Sequence, residues 1–125
     1  MLLGLRRDLD RTLYPALDLQ ALVSHPFRET LPVSILEGMA SGLAAVATDV
    51  GSVRDLVLDG ETGRLVPPGD PGAIAGAIRA LALDPARRAA YGLGARARAV
   101  EHFSLERMVA AYADLFEHLA AGRRS

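Results

Sequence analysis

The sequence LAAVAT at residues 43–48 is an apolar run that ends in a threonine. A run without a charged residue on either face is typical of a strand in a parallel sheet that is covered on both sides. Gly42 precedes the run and the turn sequence DVGS follows it at residues 49–52. We therefore predict a buried strand over residues 43–48 and place the other elements around it.

Strand and helix patterns alternate on both sides of this run. Residues 19–24 form another apolar run of strand length, and residues 64–66 form a short third one after a polar turn. A helix is predicted over residues 33–41, with Pro32 close to its first turn and Gly42 as its C-cap. Together with a short helix over residues 53–58, this alternation indicates an α/β fold in which helices flank a parallel sheet.

The chain's two ends carry further elements. Residues 2–5 resemble the tail of a strand, and residues 10–17 show a short helical pattern that Pro15 interrupts. After Asp70, a predicted N-cap, helices are expected over residues 71–83 and 85–103. The last helix, residues 105–121, has apolar residues at helical spacing, and we expect this stripe to be core: Met108, Val109, Tyr112, Leu115, Phe116 and Leu119.

Composition limits the possible functions of these 125 residues. The 14 basic residues, all arginine, nearly balance 15 acidic ones, and the net charge of −1 argues against bulk capture of nucleic acid. There is no cysteine, and the three histidines lack metal-ligand spacing. No apolar run approaches the roughly 20 residues that span a bilayer, so a cytoplasmic protein is the default expectation. Arginine pairs at 87/88 and 96/98 are interpreted as a solvated helix face rather than as contacts to lipid headgroups.

Two glutamates flank the predicted start of the helix over residues 33–41. Glu29 lies in the preceding loop, and Glu37 lies about five residues into the helix, roughly 7 Å along its axis. Free backbone N–H groups at a helix start bind anions. The resulting order of carboxylate, N–H groups and carboxylate complements a molecule with hydroxyls at both ends and a diphosphate between them. Taken alone, two such glutamates are more often solvated surface carboxylates.

Three motifs, of which the first contains both glutamates, make the pattern of two glutamates around a helix start more specific. They are ETLPVSILEGMASG at residues 29–42, VATDVG at residues 46–51 and DGETGRLVPPGD at residues 59–70. In order and spacing they resemble the C-terminal domain of the family-4 (group 1) retaining glycosyltransferases, which have the GT-B architecture. The resemblance extends over residues 4–119. It implies a Rossmann-like parallel sheet flanked by helices.

The resemblance also implies a role for individual residues. Glu29 matches the first glutamate of the family's E-x7-E motif, which contacts donor-sugar hydroxyls, and Glu37 matches the second, which holds the ribose hydroxyls of the nucleotide. Thr30 and Leu31 would face the donor sugar. Backbone N–H groups of Val33 and Ser34 would face the diphosphate. The implied reaction transfers a sugar from a nucleotide diphosphate to an acceptor with retained configuration, without a cofactor or a catalytic metal.

The sequence departs from the family pattern in two respects. Thr30 stands where the family usually has glycine, and a positive φ at this position would disfavour a β-branched residue. We also expect residues 1–125 to be an incomplete domain, without the upstream basic residues and the N-terminal acceptor domain. The last helix would pack towards that domain, so part of its apolar stripe would be exposed here. On that expectation this chain contains no catalytic residue and is inactive alone.

An alternative hypothesis keeps the fold but not the reaction. On this hypothesis the chain is a remnant, or an α/β module that binds a nucleotide sugar or a protein partner without transferring anything. Association with a membrane surface is possible but nothing in the sequence indicates it.

Overall fold

The computed structural model describes residues 12–25 and 30–122. Three parallel strands form its sheet: β1 (Leu19–Leu22), β2 (Ala44–Thr48) and β3 (Gly63–Val66), in the order β1-β2-β3. The parallel sheet predicted from the sequence is thus confirmed. Residues 2–5 lie outside the described residues, and of the helical pattern over residues 10–17 the described part contains a 3₁₀ helix at Tyr14–Ala16.

Within the described ranges, five α-helices accompany the strands. Their bounds are α1 Val33–Ala40, α2 Val53–Leu56, α3 Pro71–Leu83, α4 Pro85–Phe103 and α5 Leu105–Gly122. These bounds agree with the predicted ones to within two residues. Among the described residues, no helix is both long and apolar enough to cross a membrane.

The sequence sets several helix ends through local hydrogen bonds. At the end of α1, Gly42 has a φ of +82° and its N–H donates to Met39, while the N–H of Leu43 donates to Gly38. This pair of bonds is a Schellman motif, which needs a residue in the left-handed region and therefore favours glycine. At the start of α3, the Asp70 side chain accepts a hydrogen bond from Ala73 N–H at 2.9 Å, as the sequence predicted.

All five residues of β2 are buried, because helices cover both of its faces. Ala45 and Ala47 belong to a core that includes α1, α2 and α4. Ala44 and Val46 face the other way, into a second core with Leu81 of α3. Small side chains on this strand let the helices approach closely, which explains its alanine-rich sequence.

Helix α4 approaches the end of α1 at backbone contact distance. A Cβ atom added to Gly92 would lie 2.1 Å from the carbonyl oxygen of Gly42. Gly94 lies two residues further along α4 and leaves more room. A Cβ atom added there would lie 3.0 Å from the Glu61 carbonyl oxygen. The glycines that weaken α4 in propensity therefore serve its packing.

Three arginines of α4 bind the ends of the other helices. Arg88 donates to the carbonyls of Leu81 and Ala82 at the end of α3. Arg98 donates to the last carbonyls of α2, at 3.0 Å to Leu56 and 2.6 Å to Asp55, and Arg96 donates to the carbonyl of Ala40 at the end of α1. The interpretation as a solvated face is therefore wrong for Arg88 and Arg98, which are partly buried, whereas Arg96 is exposed as expected. All three positively charged side chains satisfy helix C-terminal carbonyls. Arg87 instead forms an exposed ion pair with Asp84.

The apolar stripe of α5 is not core in this structure. No residue of α5 is buried, and each large apolar side chain of the stripe is at least half exposed. The prediction that the stripe forms core is therefore wrong for the described residues. Its helical periodicity, on which that prediction depended, is present, but among the described residues α5 has its main contacts with α4.

Candidate functional site

Helix α1 begins with backbone N–H groups that have no internal acceptor. Pro32 is its N-cap and offers no side-chain cap, although its carbonyl accepts from Ile35 and Leu36 N–H. Among the described residues, the N–H groups of Val33 and Ser34 have no hydrogen-bond acceptor. An anion at this position would be stabilised by these donors and by the positive end of the helix dipole.

Glu37 lies in the same helix, one turn beyond Val33, and is exposed. Its Oε2 atom accepts a hydrogen bond of 2.9 Å from the hydroxyl of Tyr14, which belongs to the 3₁₀ helix. Tyr14 itself is buried. Burial, together with this hydrogen bond and the negative charge of Glu37, raises the pKa of Tyr14 to about 12. The hydroxyl therefore stays protonated near neutral pH and remains a donor to the carboxylate.

Two open grooves meet at Glu37. One, of about 470 Å³, is lined mainly by Leu36 and Glu37 of α1 and by Val100 and Phe103 of α4. The other, of about 440 Å³, is lined by Pro15, Glu37, Ala40, Ser41 and Arg96. The carboxylate is thus accessible from both sides of α1.

A third groove lies at the carboxyl ends of the strands. It has a volume of about 380 Å³, and its lining includes Ser24 and His25 after β1 and Pro68 and Gly69 after β3. This is the edge at which open α/β sheets bind their ligands. Glu37 does not line this groove, so the described residues do not bring His25 and Glu37 into one cavity.

A buried threonine fixes the start of the loop that follows β1. Thr48 Oγ1 accepts from the N–H of Ser24 at 2.9 Å and donates to the Ser24 carbonyl at 3.1 Å. Both bonds join the carboxyl ends of β1 and β2. The threonine that closes the LAAVAT run therefore holds in place the chain that leads to the site loop.

The remaining predicted site residues have different positions. Thr30 and Leu31 are both exposed, directly before α1. The expectation about a positive φ at Thr30 stays a prediction, because this angle depends on residue 29, which lies outside the described residues. Glu29 lies outside the described residues, and its role stays a prediction.

Aspartates near the strand ends form ion pairs rather than a second acidic site. Asp49 pairs with Arg54 at 3.0 Å. Asp59 accepts from Leu65 N–H at 2.9 Å and from Arg64 Nε at 2.8 Å. Burial alone would raise the pKa of Asp59, but these two donors outweigh it and lower the pKa. Asp59 therefore stabilises the polar turn that precedes β3.

Sequence reasoning missed two residues of this region. Tyr14 lies 23 residues before Glu37, in a segment whose helical pattern gives no sign of a contact with α1. The sequence pattern predicts Thr48 only as the last residue of a strand. A hydroxyl residue at the end of an otherwise apolar run is the signal that would have found it, since a buried hydroxyl needs partners.

Comparison with known proteins is consistent with this geometry. A family model described as "Glycosyl transferases group 1" matches residues 2–84. The chain belongs to this family. It is 38% identical over 90 residues to the lipopolysaccharide core biosynthesis mannosyltransferase LpcC of Rhizobium leguminosarum bv. viciae, a match that covers 72% of this chain and 26% of the relative.

Solved structures of glycosyltransferases share the fold. Sucrose-phosphate synthase from Thermosynechococcus elongatus superposes with a TM-score of 0.78 at 33% identity, over 87% of this chain and 27% of that one. Anabaena Alr3699/HepE in complex with UDP and glucose gives 0.79 at 28% identity, over 95% of this chain and 31% of that one. The expected Rossmann-like α/β fold of GT-B type is thereby confirmed. The group 1 chain described here spans about a quarter to a third of the length of these proteins.

Proposed function

We propose that this chain binds a nucleotide-diphosphate sugar, the donor of a reaction that transfers the sugar to an acceptor with retained configuration. The observation that carries the proposal is the pairing of an exposed Glu37 carboxylate with the free N–H groups of Val33 and Ser34 in one helix. The diphosphate lies against the N–H groups and the helix dipole, and Glu37 accepts hydrogen bonds from the ribose diol. Glu29, Thr30 and Leu31 contact the donor sugar.

Family membership supports this assignment. Anabaena Alr3699/HepE, a protein of the same fold, has been solved with UDP and with UDP-glucose. The motif ETLPVSILE at residues 29–37 provides both glutamates of the family pattern at the start of α1. No cofactor or metal ion is required on this proposal, because the N–H groups of Val33 and Ser34 and the helix dipole stabilise the bound diphosphate.

We further propose that these 125 residues bind the donor without transferring it. A GT-B active site lies in the cleft between two domains, and the described residues form one sheet with its helices. Acceptor recognition and catalysis would then require residues that this sequence does not contain. Incubation of the chain with UDP-, GDP- and ADP-sugars, followed by assay for released nucleotide diphosphate, tests this point, and turnover above the buffer rate contradicts it.

Calorimetric titration of the purified chain with the same nucleotide sugars tests donor binding. We expect Glu37→Ala to weaken the nucleotide diphosphate itself, because that residue holds the ribose. Glu29→Ala should weaken the sugar-bearing ligands only. Glu117→Ala, at an exposed position of α5, is the matched control and should leave all affinities unchanged.

Two outcomes would count against the proposal, one against donor binding and one against the assigned roles. One is the absence of any binding at millimolar ligand. The other is an equal loss for Glu29→Ala and Glu37→Ala with both ligand types, which contradicts the separate sugar and ribose roles.

A further inference from the structure

We propose that Tyr14 is a positioning residue for the nucleotide: its hydroxyl holds the Glu37 carboxylate in the orientation that accepts the ribose diol. This inference rests on the proposed function, in which Glu37 binds the ribose. It concerns a residue that lies before β1, outside the three motifs on which the family resemblance depends.

The geometry of the pair is the first argument. The Tyr14 hydroxyl donates to Glu37 Oε2 at 2.9 Å, across 23 residues of sequence. Tyr14 is buried in the 3₁₀ helix, whereas Glu37 is exposed. A buried donor thus reaches a carboxylate at the surface of α1. Among the described residues, no other side chain forms a hydrogen bond or an ion pair with the Glu37 carboxylate.

The chemistry of the carboxylate is the second argument. An ionised carboxylate has about four lone-pair sites, and the tyrosine occupies one of them on Oε2. Both oxygens therefore remain able to accept a hydroxyl of a vicinal diol. Because a long side chain must otherwise be ordered when the ligand binds, a carboxylate that is already held binds more tightly.

The protonation state of Tyr14 agrees with this role. A positioning donor must keep its proton at the pH at which the ligand binds. Burial and the neighbouring Glu37 carboxylate raise the pKa of Tyr14 to about 12, so the hydroxyl donates throughout the neutral range.

Tyr14→Phe removes the hydroxyl and keeps the ring. The fold should survive this change, because the main acceptor that loses its partner is an exposed carboxylate that water can solvate, and the second acceptor, the Ser34 carbonyl, is 3.5 Å away. Affinity of the full chain for UDP is measured by calorimetry for wild type and for the Tyr14→Phe, Glu37→Ala and double variants. Tyr112→Phe, which removes a hydroxyl from exposed helix α5, is the control.

We expect Tyr14→Phe to weaken UDP about three- to tenfold, the range that corresponds to ordering one long side chain. It should have no effect in the Glu37→Ala background. The same substitution should leave the affinity for 2′,3′-dideoxy-UDP unchanged, since that ligand has no diol to present. Tyr112→Phe should bind both ligands as wild type does.

Three other results are informative. Equal weakening of UDP and dideoxy-UDP by Tyr14→Phe would mean that the hydroxyl supports the fold only, and would overturn the inference. An unchanged UDP affinity in Tyr14→Phe, beside a clear loss in Glu37→Ala, would overturn it while leaving the proposed function intact. An unchanged UDP affinity in Glu37→Ala would instead refute the ribose role on which it rests.

Discussion

Gly92→Ala tests whether the close approach of α4 to the end of α1 limits the side chain at this position. The added Cβ would lie 2.1 Å from the Gly42 carbonyl oxygen and 3.1 Å from its carbonyl carbon. Both groups belong to the backbone, so no flexible side chain can move aside. To bring the first distance above 3.0 Å, α4 and the chain at Gly42 must separate by roughly 1 Å, and overpacking of this kind costs about 1–3 kcal/mol.

Helix propensity acts in the opposite direction and must be separated from packing. Alanine stabilises a helix interior by about 1 kcal/mol relative to glycine. Gly76→Ala in α3 measures this gain alone, because no atom lies within 4 Å of the Cβ it adds. The difference between the two variants therefore isolates the packing term.

Taking the upper part of the overpacking range, we expect Gly92→Ala to lower the free energy of unfolding by about 2 kcal/mol, and Gly76→Ala to raise it by about 1 kcal/mol. For a chain of this size, 1 kcal/mol corresponds to roughly 4 °C in Tm. Gly94→Ala, whose Cβ would lie 3.0 Å from the Glu61 carbonyl oxygen, should fall between the two. Urea and thermal unfolding followed by circular dichroism give these values.

One pattern of results would refute the reasoning. If Gly92→Ala is as stable as wild type or more so, while Gly76→Ala shows the expected gain, the contact between α4 and Gly42 does not constrain the helix. A loss in both variants would instead remove Gly76 as a measure of propensity.

Three other predictions concern hydrogen bonds and protons. Thr48→Val should destabilise the chain by about 2 kcal/mol, because the Ser24 N–H and carbonyl both lose this partner, whereas Thr48→Ser should be close to wild type in urea unfolding. Wild type should be more stable than Asp59→Asn at neutral pH, and this difference should be lost as the pH falls below the ordinary carboxyl pKa of 3.8. The reason is that the hydrogen bond from Leu65 N–H lowers the pKa of Asp59 in the folded chain. A difference that stays the same in acid would argue against this. Raising the pH from 10 to 12 should lower the free energy of unfolding of wild type by about 2 kcal/mol relative to Tyr14→Phe, because the folded chain holds the phenolic proton more tightly than the unfolded one. Parallel curves of stability against pH for the two proteins would contradict the raised pKa.

Most of the fold was predictable because local signals agree with tertiary packing. The LAAVAT run has no polar face, and the structure buries every residue of β2. Capping and turn residues such as Asp70 and Gly42 act within a few residues of themselves, so their effects can be recognised in sequence.

What the sequence could not predict depends on contacts between distant segments. The Tyr14–Glu37 bond joins residues 23 apart, and no local pattern specifies it. The stripe of α5 has the same periodicity whether a partner covers it or not, and so its burial was predicted wrongly. In the candidate site, the motif located Glu37 and the start of α1, but the residue that holds the carboxylate required the three-dimensional arrangement.

The arginine side chains of α4 have a consequence for which substitutions the chain tolerates. Arg98 reaches two successive carbonyls with two different nitrogens, and Arg88 reaches two carbonyls with one. A lysine has a single nitrogen and no planar fork, so an exchange that preserves charge would still release one of the two carbonyls that Arg98 holds at the end of α2. The position of Arg98 therefore requires the forked guanidinium group and not only a positive charge. Any attempt to redesign this chain with lysine for solubility should leave α4 unchanged.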